Sequence, residues 1–151
     1  MTIEIPDLEL KLSNDLSVER TMRSPYRDTL YFRPSPEWVS KFGDWLESAP
    51  RGSYTTESWD CDDFAMWAST QASIANSQAG RTCGHTVFIA YILAKKNFCG
   101  LVFPSLTDHA TLLILDSTNE WTFLEPQTGY SMPAKRALES GIVESIYYVI
   151  V

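Results

Sequence analysis

The spacing of apolar residues changes once along these 151 residues, and that change constrains the fold more than any other feature. From about residue 35 to about residue 80 the spacing is helical. Ser35-Pro36-Glu37-Trp38 reads as a helix start, with Ser at N-cap and Pro at the first helical position. Trp38, Phe42, Trp45 and Leu46 then share one face. A second helix is predicted from Asp60 to about Asn76, with Asp62 and Asp63 in its first turn. Its small residues Ala65, Ala68, Ser69 and Ala72 allow close packing. Beyond it the pattern becomes that of strands. Thr86–Ala94 and Ala110–Leu115 are continuous apolar runs of strand length. Asp116-Ser-Thr-Asn is turn chemistry, and Trp121–Leu124 is the returning strand of a hairpin. Lys135–Ser140 predicts a short helix stopped at Gly141, and Ile146–Val151 a last strand. Helices followed by strands predict an α+β fold, N-terminal helices packed on an antiparallel sheet.

The first segment follows a different rule. Ile3, Ile5, Leu8, Leu10 and Leu12 are spaced mostly by two, which predicts a strand or an extended arm over Met1–Ser24. Pro6 and Pro25 count against a helix there. The expected organisation is therefore an arm over residues 1–27 and one domain over 28–151.

Nineteen acidic side chains against twelve basic give a net charge of −7. A nucleic-acid binder carries a basic stripe, so nucleic acid is not an expected partner, and anionic membranes are disfavoured for the same reason. No apolar stretch is long enough to span a bilayer, and no basic, apolar leader opens the chain. Three cysteines without a CxxC pair argue against a disulfide scaffold. The expected compartment is the cytoplasm.

Three short segments carry possible chemistry: Trp59-Asp60-Cys61-Asp62-Asp63-Phe64-Ala65, Asp108-His109-Ala110 and Leu124-Glu125-Pro126-Gln127-Thr128. Cys61 stands at a predicted helix start, where free backbone N–H groups favour a thiolate; its competing role is a small buried hydrophobe. His109 opens a predicted strand and has the chemistry of a base for such a thiol. Glu125, on the return strand, has the chemistry to hold the far nitrogen of His109. A structural histidine and a solvated glutamate are their competing roles. Trp59 is a candidate for lining a substrate cleft, against simple packing. His85 is read as structural, and Cys83 and Cys99 as core thiols.

Together, WDCDDFA, GHTVFIAYILA, DHATLLIL and FLEPQTGY resemble the papain-like C-terminal domain of the mushroom agglutinin family, from roughly Asp28 onward. The Cys-Asp-Asp core alone also resembles bacterial transglutaminase-like cysteine proteinases. The resemblance implies a papain-like fold and a calcium-dependent cysteine protease with the triad Cys61, His109 and Glu125. It implies a metal beside the thiol, Ca²⁺ with Mn²⁺ as a substitute, with Asp62, Asp63, Gln127 and Glu125 as ligand candidates. The sugar-binding trefoil that precedes this domain in those lectins has no counterpart in the sequence, so lectin activity is not expected.

Charge gives an independent reason for a cation. A carboxylate about 6 Å from the thiol, at an effective dielectric of about 20, opposes the thiolate by roughly 3 kcal/mol, or about two pKa units. Bound Ca²⁺ would reverse that field, although aspartates in a first helical turn are also favoured by the helix dipole alone. The expected partner is a protein or peptide substrate. Acyl transfer to an amine uses the same triad. A catalytically silent metal-binding or dimerising module is the third reading, with Trp38, Trp45 and Trp59 as a homodimer surface.

Overall fold

The computed structural model describes residues 1–23, 28–50 and 60–151. The elements run β1 (Thr2–Glu4), α1 (Ile5–Leu16), β2 (Thr21–Met22), β3 (Leu30–Phe32), α2 (Pro36–Ser48), α3 (Cys61–Gln78), β4 (Gly84–His85), β5 (Val87–Phe98), β6 (Leu101–Leu115), β7 (Trp121–Leu124), β8 (Ser131–Pro133), α4 (Ala134–Glu139) and β9 (Val143–Ile150). The class is α+β, as the change of period predicts. A six-stranded sheet has the order β2-β9-β5-β6-β7-β8, and β1-β3-β4 form a small second sheet. Pairing in the large sheet is antiparallel except between β2 and β9.

The long apolar runs are explained by burial on both faces. Leu113 and Leu115 point into one cluster with Leu8, Leu12, Phe123 and Ile146. Leu112 and Ile114, one residue out of phase, point into another with Phe42, Leu46, Ala68 and Ala72. Successive strand side chains face opposite ways, so a sheet covered twice has no room for polar alternation. Residues 109 to 115 are buried without a break.

The first segment holds the strands β1 and β2 but departs from the expected strand or extended arm between them. Met1–Ser24 contains helix α1, and its buried residues are Ile5, Leu8, Leu12 and Leu16, a helical spacing. Leu10, which completed the apparent alternation, is 59% exposed. Pro6 does not break this helix, because it stands in the first turn, where its missing N–H has no intrahelical partner anyway. Ser17 closes the helix in the left-handed conformation, its N–H donating to Ser13 O at 3.1 Å and the Val18 N–H to Leu12 O at 3.4 Å. Segment 1–16 is thus packed into the main core, and β1 pairs with β3.

Local signals elsewhere hold. The Ser35 hydroxyl accepts the Trp38 N–H at 3.2 Å, and Pro36 opens α2. Asp116 Oδ1 accepts from Thr118 N and Glu120 N at 2.8 and 3.1 Å, fixing the β6–β7 turn. β5 and β6 extend beyond their predicted ends, to Phe98 and from Leu101. No helix among the described residues is long and apolar enough to cross a membrane.

Candidate active site

Cys61 is the first residue of α3, so its N–H lies in the helical turn that has no intrahelical acceptor. Asp60 at N-cap and Asp63 at the third helical position form a capping box, with the Asp60 N–H donating to Asp63 Oδ2 at 3.3 Å. Cys61 packs with Tyr91 and Ile150 onto Ala65, Ile89 and Ala110. The small residues at Ala65 and Ala68 let α3 lie directly on β5 and β6, which fixes the height of the thiol above the sheet.

His109 lies in β6 opposite Ile92 of β5. Its ring sits between Phe98, at 5.8 Å, and Phe103, at 5.1 Å between centroids. Glu125 directly follows β7. Its Oε2 is 2.7 Å from His109 Nε2, and its Oε1 accepts the Gln127 N–H at 3.0 Å. Both residues are buried, His109 at 4% exposure and Glu125 at 0%. With Nε2 held by Glu125, Nδ1 is the nitrogen left to face Cys61. Burial opposes a charge on His109, but hydrogen bonding to the Cys61 sulfur and to Glu125 outweighs it, and the imidazole is pushed up to about 9.

The turn carrying Glu125 is braced from three sides. The Glu125 N–H donates to Tyr130 O at 2.9 Å, and the Gly129 N–H to Glu125 O at 2.8 Å. Thr128 Oγ1 donates to Cys99 O at 2.6 Å, tying the turn to the β5–β6 hairpin. Helix α2 meets it at a glycine pair: a Cβ on Gly43 would stand 2.5 Å from Gly129 O, and one on Gly129 2.3 Å from Gly43 O. Gly129 also has φ +73°, a conformation disfavoured for side chains.

The acidic residues divide into two roles. Ligand atoms of Asp60, Cys61 and Asp62 lie within 4.8 Å of one another, half-buried. Asp62 is raised above the usual carboxylate range, first by its hydrogen bond to Asp60 and then by burial. Asp60 is lowered, chiefly by the same hydrogen bond. Asp63 is drawn into the helix cap instead, and both oxygens of Glu125 are engaged inside the protein. Gln127 reaches Glu125 through its backbone N–H. Of the carboxylates expected as metal ligands, Asp62 lies in this cluster. Asp60 joins it, a residue whose capping role masks it in the sequence.

The remaining assignments fall out separately. Trp59 lies outside the described residues. His85 accepts the Val87 N–H at Nδ1 and meets Ser73 Oγ at 2.6 Å through Nε2; burial pushes it down to about 4. It is a neutral structural histidine. Burial and the Glu125 charge push Cys99 up to about 12, which makes it an inert thiol. Trp38, Phe42 and Trp45 stack along α2, at 4.8 and 5.9 Å between ring centroids. They line a groove of about 400 Å³ with Gln71 and Ile74 that contains none of the triad residues.

No family model and no curated protein matches the chain. Solved structures do. A Polyporus squamosus lectin, bound to a "human-type influenza-binding epitope Neu5Aca2-6Galb1-4GlcNAc", is similar over 99% of this chain at 17% identity and a TM-score of 0.71. A structure described as a "PSL1a-E64 complex" is similar over 99% of this chain at 20% identity and a TM-score of 0.64. The chain spans about half the length of those chains, 49% and 50%. At such identities the likeness is one of fold.

Proposed function

We propose that this α+β fold is papain-like and that the chain is a calcium-dependent cysteine protease acting through Cys61, His109 and Glu125. One observation carries this reading: a fully buried glutamate hydrogen-bonded to a buried histidine whose other nitrogen faces a thiol at a helix N-terminus. A structural histidine has no need of a buried carboxylate on one side and a sulfur on the other.

The chemistry follows from the placement. Glu125 fixes the tautomer and orientation of His109 and stabilises its charged form. The raised imidazole holds a proton beside Cys61, so the sulfur works as half of an ion pair. Cys61 Sγ attacks the peptide carbonyl, and the N–H of Cys61 is placed to stabilise the developing oxyanion. His109 then gives its proton to the leaving amine, a thioester forms, and water activated by His109 hydrolyses it.

Asp60 and Asp62 fit a hard cation. Their carboxylates share one proton-like hydrogen bond, the arrangement a divalent ion would replace, and oxygen donors suit calcium, with manganese as a substitute. Held there, the ion would offset the negative field beside the thiol.

The test is alkylation by E64, an epoxide that reacts with nucleophilic thiols, together with casein cleavage in saturating calcium. The expected result is modification at Cys61 ahead of Cys83 and Cys99, and cleavage lost in Cys61→Ala. Cleavage surviving in Cys61→Ala would overturn the reading. Incorporation of a labelled amine without hydrolysis would assign acyl transfer instead.

A further inference from the structure

β9 carries one residue more than the stretch of β5 it faces. Tyr91 pairs with Tyr148, but Ile92 pairs with Ile146, which leaves Tyr147 as the extra residue of a β-bulge. Burial shows the consequence. Ile146 and Val149, three residues apart, both belong to the main core, whereas in an unbroken strand residues three apart face opposite ways. The bulge therefore turns two consecutive tyrosines, Tyr147 and Tyr148, to the other face. On that face Cys61, Tyr91 and Ile150 pack against Ala65, Ile89 and Ala110.

The three tyrosine rings form one group there. The Tyr91 centroid stands 6.4 Å from that of Tyr147 and 5.7 Å from that of Tyr148, with the planes tilted by 49° and 51°. All three residues are half-buried. Tyr147 also reaches across β5, because its hydroxyl donates a hydrogen bond to Asp108 of β6, two strands away. Asp108 is the residue before His109. Burial, then the charge of Asp108 and that hydrogen bond, push the Tyr147 hydroxyl up. Burial, then the charges of Asp62 and Cys61, push the Tyr91 hydroxyl up. The Cys61 charge acts on Tyr147 as well. Two of the tyrosines thus lie within electrostatic reach of the thiol, and one of them is tied to the residue beside the histidine.

We propose that Tyr91, Tyr147 and Tyr148 form the surface that receives a substrate side chain beside the scissile bond, and that they select an aromatic one. The inference rests on the protease reading and adds the substrate class. Tilted rings at such separations attract one another edge to face, and a substrate ring laid on the group extends that arrangement. Charge removes the alternatives. Asp60, Asp62 and Asp108 repel an acidic side chain, and a calcium ion held by Asp60 and Asp62 repels a basic one. The Tyr147 hydroxyl is given to Asp108, so the ring is what Tyr147 offers a substrate. The bulge makes the surface, since without it one of Tyr147 and Tyr148 would point into the main core.

The test uses the full chain in saturating calcium and a mixed peptide library, with cut sites read by mass spectrometry and a melting curve to confirm folding of each variant. The expected result is phenylalanine, tyrosine or tryptophan enriched about two- to tenfold within about two residues of the cut, the scale of an aromatic pair. In Tyr147→Leu or Tyr91→Leu, which keep bulk without the ring, that preference should fall toward parity. Tyr147→Phe, which keeps the ring and loses the hydroxyl, should retain it. No aromatic preference in the wild type, or one unchanged in both leucine variants, would overturn the surface and leave the protease reading standing. If the wild type cuts nothing, that reading fails, and the surface is judged by fluorescence anisotropy with phenylalanine-containing and glycine-containing peptides on Cys61→Ala. Tighter binding of the phenylalanine peptide that Tyr91→Leu removes would keep the surface; equal binding of both peptides would overturn it.

Discussion

His109 Nε2 and Glu125 Oε2 meet at 2.7 Å inside the protein, with neither residue more than 4% exposed. A charged pair in such surroundings costs several kcal/mol of desolvation per ion and is retained only where further hydrogen bonds complete it. Here the second oxygen of Glu125 is completed by the Gln127 N–H, and the second nitrogen of His109 by the Cys61 sulfur. The pair is the end of a chain that opens at α3.

Glu125→Gln removes the charge that supports the imidazolium. The His109 pKa should fall from about 9 toward or below its usual 6.5, because burial then acts with less opposition. Proteolysis should fall by about 100-fold or more, from a misheld tautomer. Steady-state kinetics on a peptide substrate, with a melting curve to confirm folding, checks this.

The same shift sets a pH dependence. The folded pKa lies above the unfolded one, so the stabilising contribution is complete below about 6.5 and is lost as pH rises through about 9. Its size is roughly 3 kcal/mol. Urea midpoints of wild type and His109→Gln should therefore differ most near pH 6 and converge above pH 9. The alkaline limb of kcat/KM should fall in the same range, as the imidazolium that protonates the leaving group disappears.

Asp62 and Asp63 should separate in their effects. Asp62→Asn should lower the calcium affinity read from calcium-dependent iodoacetamide labelling of Cys61, by about tenfold or more. Asp63→Asn should leave that dependence near wild type and weaken the cap of α3 by about 0.5–2 kcal/mol, read as a lower urea midpoint. A labelling rate indifferent to calcium in the wild type would remove the cation from the proposal.

Gly43→Ala forces a methyl group to within 2.5 Å of Gly129 O, a backbone atom that cannot turn aside. The expected cost is about 1–3 kcal/mol, or roughly 3–10 °C of melting temperature for a chain of this size. Because Gly129 belongs to the turn that carries Glu125, activity should fall as well, without any change at the thiol itself. Calorimetry and kinetics on the same preparation check both.

The placement of the three candidate residues was largely legible in the sequence. Cys61 opens a helix and His109 lies on a strand, as the pattern places them, while Glu125 stands one residue past the end of the returning strand, within reach of His109. The ligand set was less legible. Asp60, Asp62 and Asp63 have the same chemistry, and only side-chain direction sorts Asp63 into the cap and Asp60 beside Asp62. The first segment misled because Ile5, Leu8 and Leu12 satisfy a helical spacing while Ile3 and Leu10 add an accidental alternation.

What the sequence determined by itself is what acts over a few residues. The change of period gives helices and then strands, Ser35 and Asp60 begin α2 and α3, and Asp116 makes the β6–β7 turn. What only the tertiary structure decided is what acts across the fold. The register of β6 on β7 places Glu125 at Nε2 of His109, Gly43 and Gly129 set how near α2 comes to that turn, and Ile89, Ala110 and Ile150 form the surface on which Cys61 packs. Caps, turns and periodicity arise from each residue's own backbone and near neighbours. A buried pair or a shared wall arises from strand register and packing distance, which no short stretch of sequence specifies.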